Sequence, residues 1–516
     1  MLFNSYEFIF GFLPVTLAGF FLIGRWHPRS AAAFLAFASF VFYAWWDVRY
    51  VALLAASILA NYAAGYATAH AHRLARPNVA KACTTLGVGF DLALLGYFKY
   101  AGFFVRNVDA LAGIDWHIAA IVLPLGISFF TFTQIAFLVD VYQRKARDYN
   151  LVHYALFVTY FPHLIAGPIL HHKEMMPQFA APRTYVPHSI DFSVGLTIFA
   201  IGLFKKTVLA DGIAEHASAP FALAAAGTSL DFFQAWGAAL AYTLQLYFDF
   251  SGYSDMAIGL SRLFGVRLPL NFASPYKATS IVDFWRRWHM TLSRFLRDYL
   301  YFPLGGNRHG NVRRYTNLMV TMLLGGLWHG AGWTFVVWGG LHGIYLCVNH
   351  AWQHLRQRLG LRGGTRMSHL LAGATTFAAV VVGWVFFRAQ DFPTALSILA
   401  GMAGAHGVTL PDAFAYRLPA VAAILKQVGV AFAPGGGTTF VSTYAWIGVL
   451  LPVVFLWPNT QEIMSRFRPA LGAALTAIPR WQQWSPRGGW ATIAGIVAAA
   501  GLLSLTRHSE FLYFQF

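Results

Sequence analysis

Residues 315–355 read YTNLMVTMLLGGLWHGAGWTFVVWGGLHGIYLCVNHAWQHL, with no Asp, Glu, Lys or Arg anywhere in the run. A helix needs about 20 mostly apolar residues to cross a hydrocarbon core, so residues 315–353 are long enough to cross twice. The apolarity is continuous and does not alternate with polar residues over about ten positions, which favours helices over a transmembrane barrel. The stretch predicts an all-α, multi-pass membrane protein.

The rest of the chain agrees. Of 516 residues 57% are hydrophobic and 11% charged, with a mean hydropathy of +0.53; ordinary soluble domains carry roughly 25% charged residues. Further apolar spans are expected near residues 4–24, 31–46, 50–69, 84–104, 117–139, 151–170, 190–210, 231–248, 370–388, 440–457 and 489–506, organised as one membrane domain over 1–516. The first span carries Glu7, lacks a basic leader and has no small-residue cleavage site before Arg25, so it is expected to be a retained helix. Cys83 and Cys347 are too few for a disulfide framework or a cysteine metal site.

The net charge of +17 does not point to nucleic acid, because the basic residues sit in short clusters between apolar spans. Such clusters mark cytoplasmic loops and touch anionic membrane lipid. They are Arg73/Arg76/Lys81, Arg144/Lys145/Arg147, Lys205/Lys206, Arg308/Arg313/Arg314, Arg356/Arg358/Arg362/Arg366 and Arg466/Arg468.

Between Phe248 and Arg314 the chain turns polar, with Asp249, Asp255, Asp283, Asp298 and a series of arginines. Charge at membrane depth is tolerated where it is buried in protein or lines a wet cavity, so this region is expected in the interface or in a re-entrant funnel. Within it, DFWRRWHMTLSRFLRDYLYFPLGGNR (283–308) places Trp285, Trp288, His289, Leu292, Leu296 and Tyr299 on one helical face. Arg286, Arg287, Arg294, Arg297 and Asp298 fall on the other, as in an amphipathic helix lying in a membrane. His289 is the one ionisable group on the apolar face. Asp249, Ser251, Tyr253 and Asp255 follow a span as a polar cluster, and either line a site or pair with nearby arginines; Asn271 and Tyr276 carry the same two readings.

Nineteen histidines make the type uninformative by itself. The pairs His70/His72 and His171/His172 lack a metal-binding spacing with a carboxylate, and no metal site is expected. His329 stands apart as the ionisable group of a charge-free membrane segment, which makes it a functional candidate. Gly326 and Gly330 have the GxxxG spacing of close helix packing, and Gly325, Ala331 and Gly332 clear more space around the ring. Packing and a narrow substrate channel both remain open readings. An imidazole in apolar surroundings stays neutral, which suits a general base accepting a hydroxyl proton in acyl transfer. No GxSxG elbow supports a serine acyl-enzyme.

Together, WRRWHMTLSRFLRDYLYFPLGGNR and LLGGLWHGAGWTFVVWGGLHG, separated by a basic linker, resemble the signature of the membrane-bound O-acyltransferases (MBOAT), with a signature core at about 120–355. The resemblance is to the bacterial branch that acetylates exported polysaccharide, typified by the alginate O-acetylation membrane protein. FYAWWDVRY (42–50), LGYFKYAGF (95–103), LPLGISFFTFTQIAFLVDVY (123–142), FPHLIAGPIL (161–170), QLYFDFSGYSDMAIGLSRLFG (245–265) and the terminal FLYFQF extend it over almost the whole chain. It implies a helical funnel in the bacterial inner membrane. There, acetyl from cytosolic acetyl-CoA would pass to a periplasmic acetyltransferase or directly to the polysaccharide acceptor. It also implies that His329 is catalytic and His289 a second essential histidine, with Trp285, Trp288 and Trp328 as candidate walls. Met290-Thr291 and Arg294-Phe295 depart from the alginate-type pattern and leave the polymer open. The second reading is a transporter or flippase for a lipid-linked or anionic sugar, with the arginine face as its track; against it, no repeat halves with interrupted spans are visible.

Overall fold

The computed structural model describes every residue except 114, 115, 117, 118, 120, 147–149, 361–363, 473–476, 507–511 and 513–516. Arg147, Arg362, the start of the 117–139 span and most of the terminal FLYFQF therefore lie outside the described residues. The remainder is almost entirely helical, as the apolar runs demand. Among the described residues, six helices are long and apolar enough to cross a membrane: Glu7–Gly24, Arg49–Arg73, Pro77–Ala112, Ser189–Ala225, Arg366–Arg388 and Gly437–Leu456. Shorter apolar helices, Pro28–Ala44, Ile127–Tyr142, Phe392–Met402 and Gly488–Leu503, pack among them.

Three expectations are corrected. Residues 151–170 do not form a span but break into Leu151–Thr159 and Phe161–Leu164, then leave the helix until His172. Pro162 and Pro168 each remove a backbone donor, so the run cannot continue as one helix. Lys205 and Lys206 are not in a loop: they start a wide turn, Lys205–Ala210, inside the continuous helix Ser189–Ala225. The polar cluster Asp249–Asp255 does not follow a span; it lies within the 32-residue helix Phe232–Leu263, which is buried without interruption from Ala241 to Leu263.

That helix begins at a capping box, in which Asp231 accepts from the Gln234 N–H and the Gln234 side chain accepts from the Asp231 N–H. Such reciprocal bonds satisfy two donors that a helix start otherwise leaves open. Its contact with Ser189–Phe204 is backbone on backbone. A Cβ on Gly259 would sit 2.6 Å from the Gly195 carbonyl, and one on Gly202 would sit 2.6 Å from the Gly252 carbonyl. Small residues at helix spacing allow this approach.

The charge-free run forms the expected pair of helices, Gly310–His329 and Trp333–Arg358, joined only by Gly330, Ala331 and Gly332. The hairpin closes through Gly326 and Gly339, where an added Cβ would collide with the carbonyls of Phe335 and Met322 respectively. The packing reading of these glycines is therefore correct at Gly326, and Gly330 is likewise covered by the Phe335 ring.

The basic ends lie together. His72 at the end of Arg49–Arg73 bonds the Tyr142 carbonyl at 3.0 Å, Tyr299 donates to Asp140 at 3.0 Å, and Arg314 bonds His350 at 2.7 Å across the hairpin. At the opposite ends, the Tyr50 hydroxyl donates to the Val122 carbonyl at 3.0 Å and the Trp333 indole donates to Asn107 at 2.8 Å. The hairpin tip and residues 122–126 thus share the face away from the basic clusters. The region 404–440 adds two short parallel strands, Val408–Pro411 and Val430–Ala433.

Candidate active site

His329 is the last residue of Gly310–His329, and Gly330 leaves the helix in an extended conformation at φ −157°. His329 lines a cavity of about 370 Å³ together with Trp46, Lys99, residues 122–129, Ile165 and Trp328. This cavity sits on the face away from the basic clusters.

The 283–308 segment is not one amphipathic helix. It forms Ile281–Trp285 and Met290–Leu296, with His289 between them at φ +42°. Side-chain crowding makes a non-glycine residue in this region uncommon and costly, so the surroundings must hold it there. They do so through Asn271, whose carbonyl accepts from the Met290 N–H at 3.0 Å and whose Oδ1 accepts from the Thr291 N–H at 3.3 Å. The expected sidedness survives the break: Trp288, His289, Leu292 and Leu296 are buried, while Arg286 and Arg297 are exposed.

His289 is fully buried, and its ring centroid lies 6.3 Å from that of His329, with the planes at 61°. The two imidazoles are therefore ring neighbours, although His329 lines the cavity and His289 is not among its lining residues. Trp328 packs edge-on against both, at 4.9 Å from His329 and 6.1 Å from His289. Phe250 meets His289 at 4.8 Å, and Trp338 and Phe387 each meet His329 at 5.1 Å.

The His289 tautomer follows from its partner. The Asn271 oxygen that accepts from the Thr291 N–H also lies 3.1 Å from His289 Nδ1. An amide N–H can only donate, so that Asn271 atom is an oxygen and Nδ1 must bear a proton. In the neutral ring Nε2 then carries the lone pair, which is the arrangement a proton acceptor needs.

The other expected residues divide. Trp285 and Trp288 stand one ring further out: the Trp285 indole donates to His342 Nδ1 at 3.3 Å, and Trp288 stacks on Phe284 and abuts Phe272, which in turn packs on Phe250. Tyr276 is buried and donates to the Thr243 carbonyl at 2.7 Å. Asp249 and Asp255 pair not with arginines but with lysines, Asp249 with Lys206 at 2.7 Å and Asp255 with Lys205 at 2.8 Å. Asp255 also accepts from Thr460 and Gln461. Ser251 is buried in the same helix, and Tyr253 stacks on Phe3 at 4.6 Å.

Sequence reasoning missed the residue of this cluster that reaches a histidine, Phe250, along with Lys99, Tyr100, Trp338 and Phe387. A lone lysine between aromatics in LGYFKYAGF was the available signal. His171 and His172 are buried, and His171 bonds the Tyr299 hydroxyl at 3.1 Å. Among the described residues no three His, Cys, Asp or Glu side chains gather as a metal-ligand set.

Residues 122–388 match the profile of MBOAT, the membrane-bound O-acyltransferase family, and that span holds both histidines and the cavity-lining residues named above except Trp46 and Lys99. The chain belongs to this family. It is a multi-pass membrane O-acyltransferase. It is 46% identical over 438 residues to the peptidoglycan O-acetyltransferase of Helicobacter pylori, covering 80% of this chain and 81% of that protein. It is also 46% identical over 408 residues to the probable alginate O-acetylase AlgI of Pseudomonas putida, covering 78% and 80% respectively. The transporter reading falls with the family assignment. Its electrostatic track also has little basis in this acyltransferase, since Arg287, Arg294 and Arg297 are paired with Asp283, Glu174 and Asp298.

Proposed function

We propose that this O-acyltransferase is an acetyltransferase of the bacterial inner membrane. It takes acetyl from acetyl-CoA at the basic, cytoplasmic face and delivers it to a hydroxyl acceptor at the opposite face. The observation that carries the reading is the contact of His329 with His289, beside a cavity that His329 lines on the face away from the basic clusters. Positive residues mark the cytoplasmic side of membrane proteins, which orients the two ends.

In the proposed reaction the acceptor oxygen attacks the thioester carbon while a neutral His329 takes the hydroxyl proton. The C–S bond then breaks and the proton passes to the departing thiolate. A positioned base of this kind contributes about 10²- to 10⁴-fold. His289, with Nδ1 held protonated by Asn271, completes the site as a second proton acceptor. The acceptor is an exported polysaccharide, modified directly or through a serine of a periplasmic acetyltransferase. The relatives support an O-acetylated polymer, one named for peptidoglycan and one for alginate.

The deciding experiment gives radiolabelled acetyl-CoA to detergent-purified wild type and His329→Ala and follows consumption of the thioester. Loss in the variant is expected; equal handling by the two proteins refutes the catalytic assignment.

A further inference from the structure

The helix that ends in His329 is held at its last carbonyls from outside. Lys99 Nζ donates to the Trp328 carbonyl at 2.5 Å, to the His329 carbonyl at 3.1 Å and to Ser128 Oγ at 3.3 Å. The adjacent Tyr100 hydroxyl donates to the Leu327 carbonyl at 2.9 Å. Three consecutive carbonyls at a helix C-terminus, which have no partner within their own helix, are thereby satisfied by two neighbouring side chains. An ammonium has three donors, and Lys99 commits all three. In its protonated form Lys99 also places a positive charge at the negative end of the helix dipole.

Lys99 is within a membrane-crossing helix, and among the described residues no carboxylate pairs with it. A lysine in that position is costly unless it has a task. The turn that presents it, Gly96–Tyr100, is a wide π-type turn, a departure from regular helix that is often found at functional sites. Lys99 also lines the same cavity as His329.

We infer that Lys99 is a positioning residue of the transfer reaction. By clamping the Trp328 and His329 carbonyls it fixes where the His329 imidazole stands relative to the cavity that the residue lines. The inference rests on His329 being the base, and its test separates the two ideas.

Lys99→Met keeps the side-chain length and removes the donors. With acetyl-CoA as donor and glycerol as hydroxyl acceptor, thiol release by Lys99→Met is expected to lose about 10²-fold in kcat, the scale of an ångström-size misplacement, while KM for acetyl-CoA stays unchanged. Lys99→Arg, which still reaches the carbonyls, is expected to recover part of the loss; it also serves if Lys99→Met fails to accumulate. A second readout needs no turnover: carbethoxylation of His329 by diethyl pyrocarbonate, followed by peptide mass spectrometry against the exposed His70 in the same molecule. The His329 to His70 ratio is expected to change in Lys99→Met. An unchanged ratio with unchanged kcat overturns the inference. Inactivity of wild type alongside a changed ratio instead refutes the proposed function and leaves the positioning role standing.

Discussion

Asn271 Oδ1 lies 3.1 Å from His289 Nδ1 and 2.9 Å from the Thr291 hydroxyl while also accepting from the Thr291 N–H. One side-chain oxygen thus sets the tautomer of a buried histidine and anchors the start of Met290–Leu296. Removing it as Asn271→Ala strands donors in an apolar interior, at about 1–3 kcal/mol for a buried unsatisfied group. We expect a lower melting temperature together with a loss of kcat, because the His289 ring is no longer obliged to keep its proton on Nδ1. A variant that melts early but retains full turnover per folded molecule contradicts the tautomer role.

The backbone of His289 offers a separate test. Its φ of +42° is tolerated by glycine, whereas an alanine there keeps a left-handed penalty of roughly 1–2 kcal/mol. His289→Gly is therefore expected to be more stable than His289→Ala by about 1 kcal/mol, with both variants defective in acetyl transfer and both present in the membrane. If His289→Ala disappears from the membrane while His289→Gly remains and is active, the residue serves folding alone.

The buried lysines give a prediction about stability. Lys206 contacts both Asp211 and Asp249 at 2.7 Å, and all three side chains are almost fully buried. Lys206→Met leaves two carboxylates in the interior without that cation, and breaking such an arrangement costs about 3–5 kcal/mol. We expect a large drop in thermal stability, or loss of the protein from the membrane. Asp249→Asn is milder, since Lys206 keeps Asp211, and its turnover per folded molecule should match wild type. A selective loss of turnover in Asp249→Asn would return Asp249 to the catalytic site.

Most of the architecture was legible because hydrophobic continuity is a local property that each stretch of sequence carries by itself. The hairpin around His329 and the two-faced 283–299 segment could be placed on that basis. The break at His289 could not, because no glycine or proline marks it and the left-handed turn is enforced by Asn271, 18 residues earlier. Lys205, Lys206, Asp249 and Asp255 misled for the same reason: a lysine pair suggests a loop and the aspartates suggested a site or arginine partners, yet these charges neutralise one another across helices inside the bundle. The pairing of His289 with His329 rests on a tertiary contact that spacing does not encode, and only family resemblance brought the two together before the fold did.

The hairpin itself supplies the last prediction. Gly326 lies one helical turn before His329, and a Cβ there would meet the Phe335 carbonyl and crowd Gly339 on the opposing helix. Backbone cannot rotate away as a side chain can, so Gly326→Ala must push the two helices apart, an overpacking that typically costs about 1–3 kcal/mol. The displacement is centred beside the tip, where His329 and Trp338 pack at 5.1 Å and Lys99 grips the helix end. We therefore expect kcat to fall by more than the loss of folded protein accounts for. Gly448→Ala, where nothing lies within 4 Å of the added carbon, should leave both quantities close to wild type. Equal behaviour of the two alanine variants in thermal unfolding and in acetyl transfer would mean that the close approach at Gly326 does not control the position of His329.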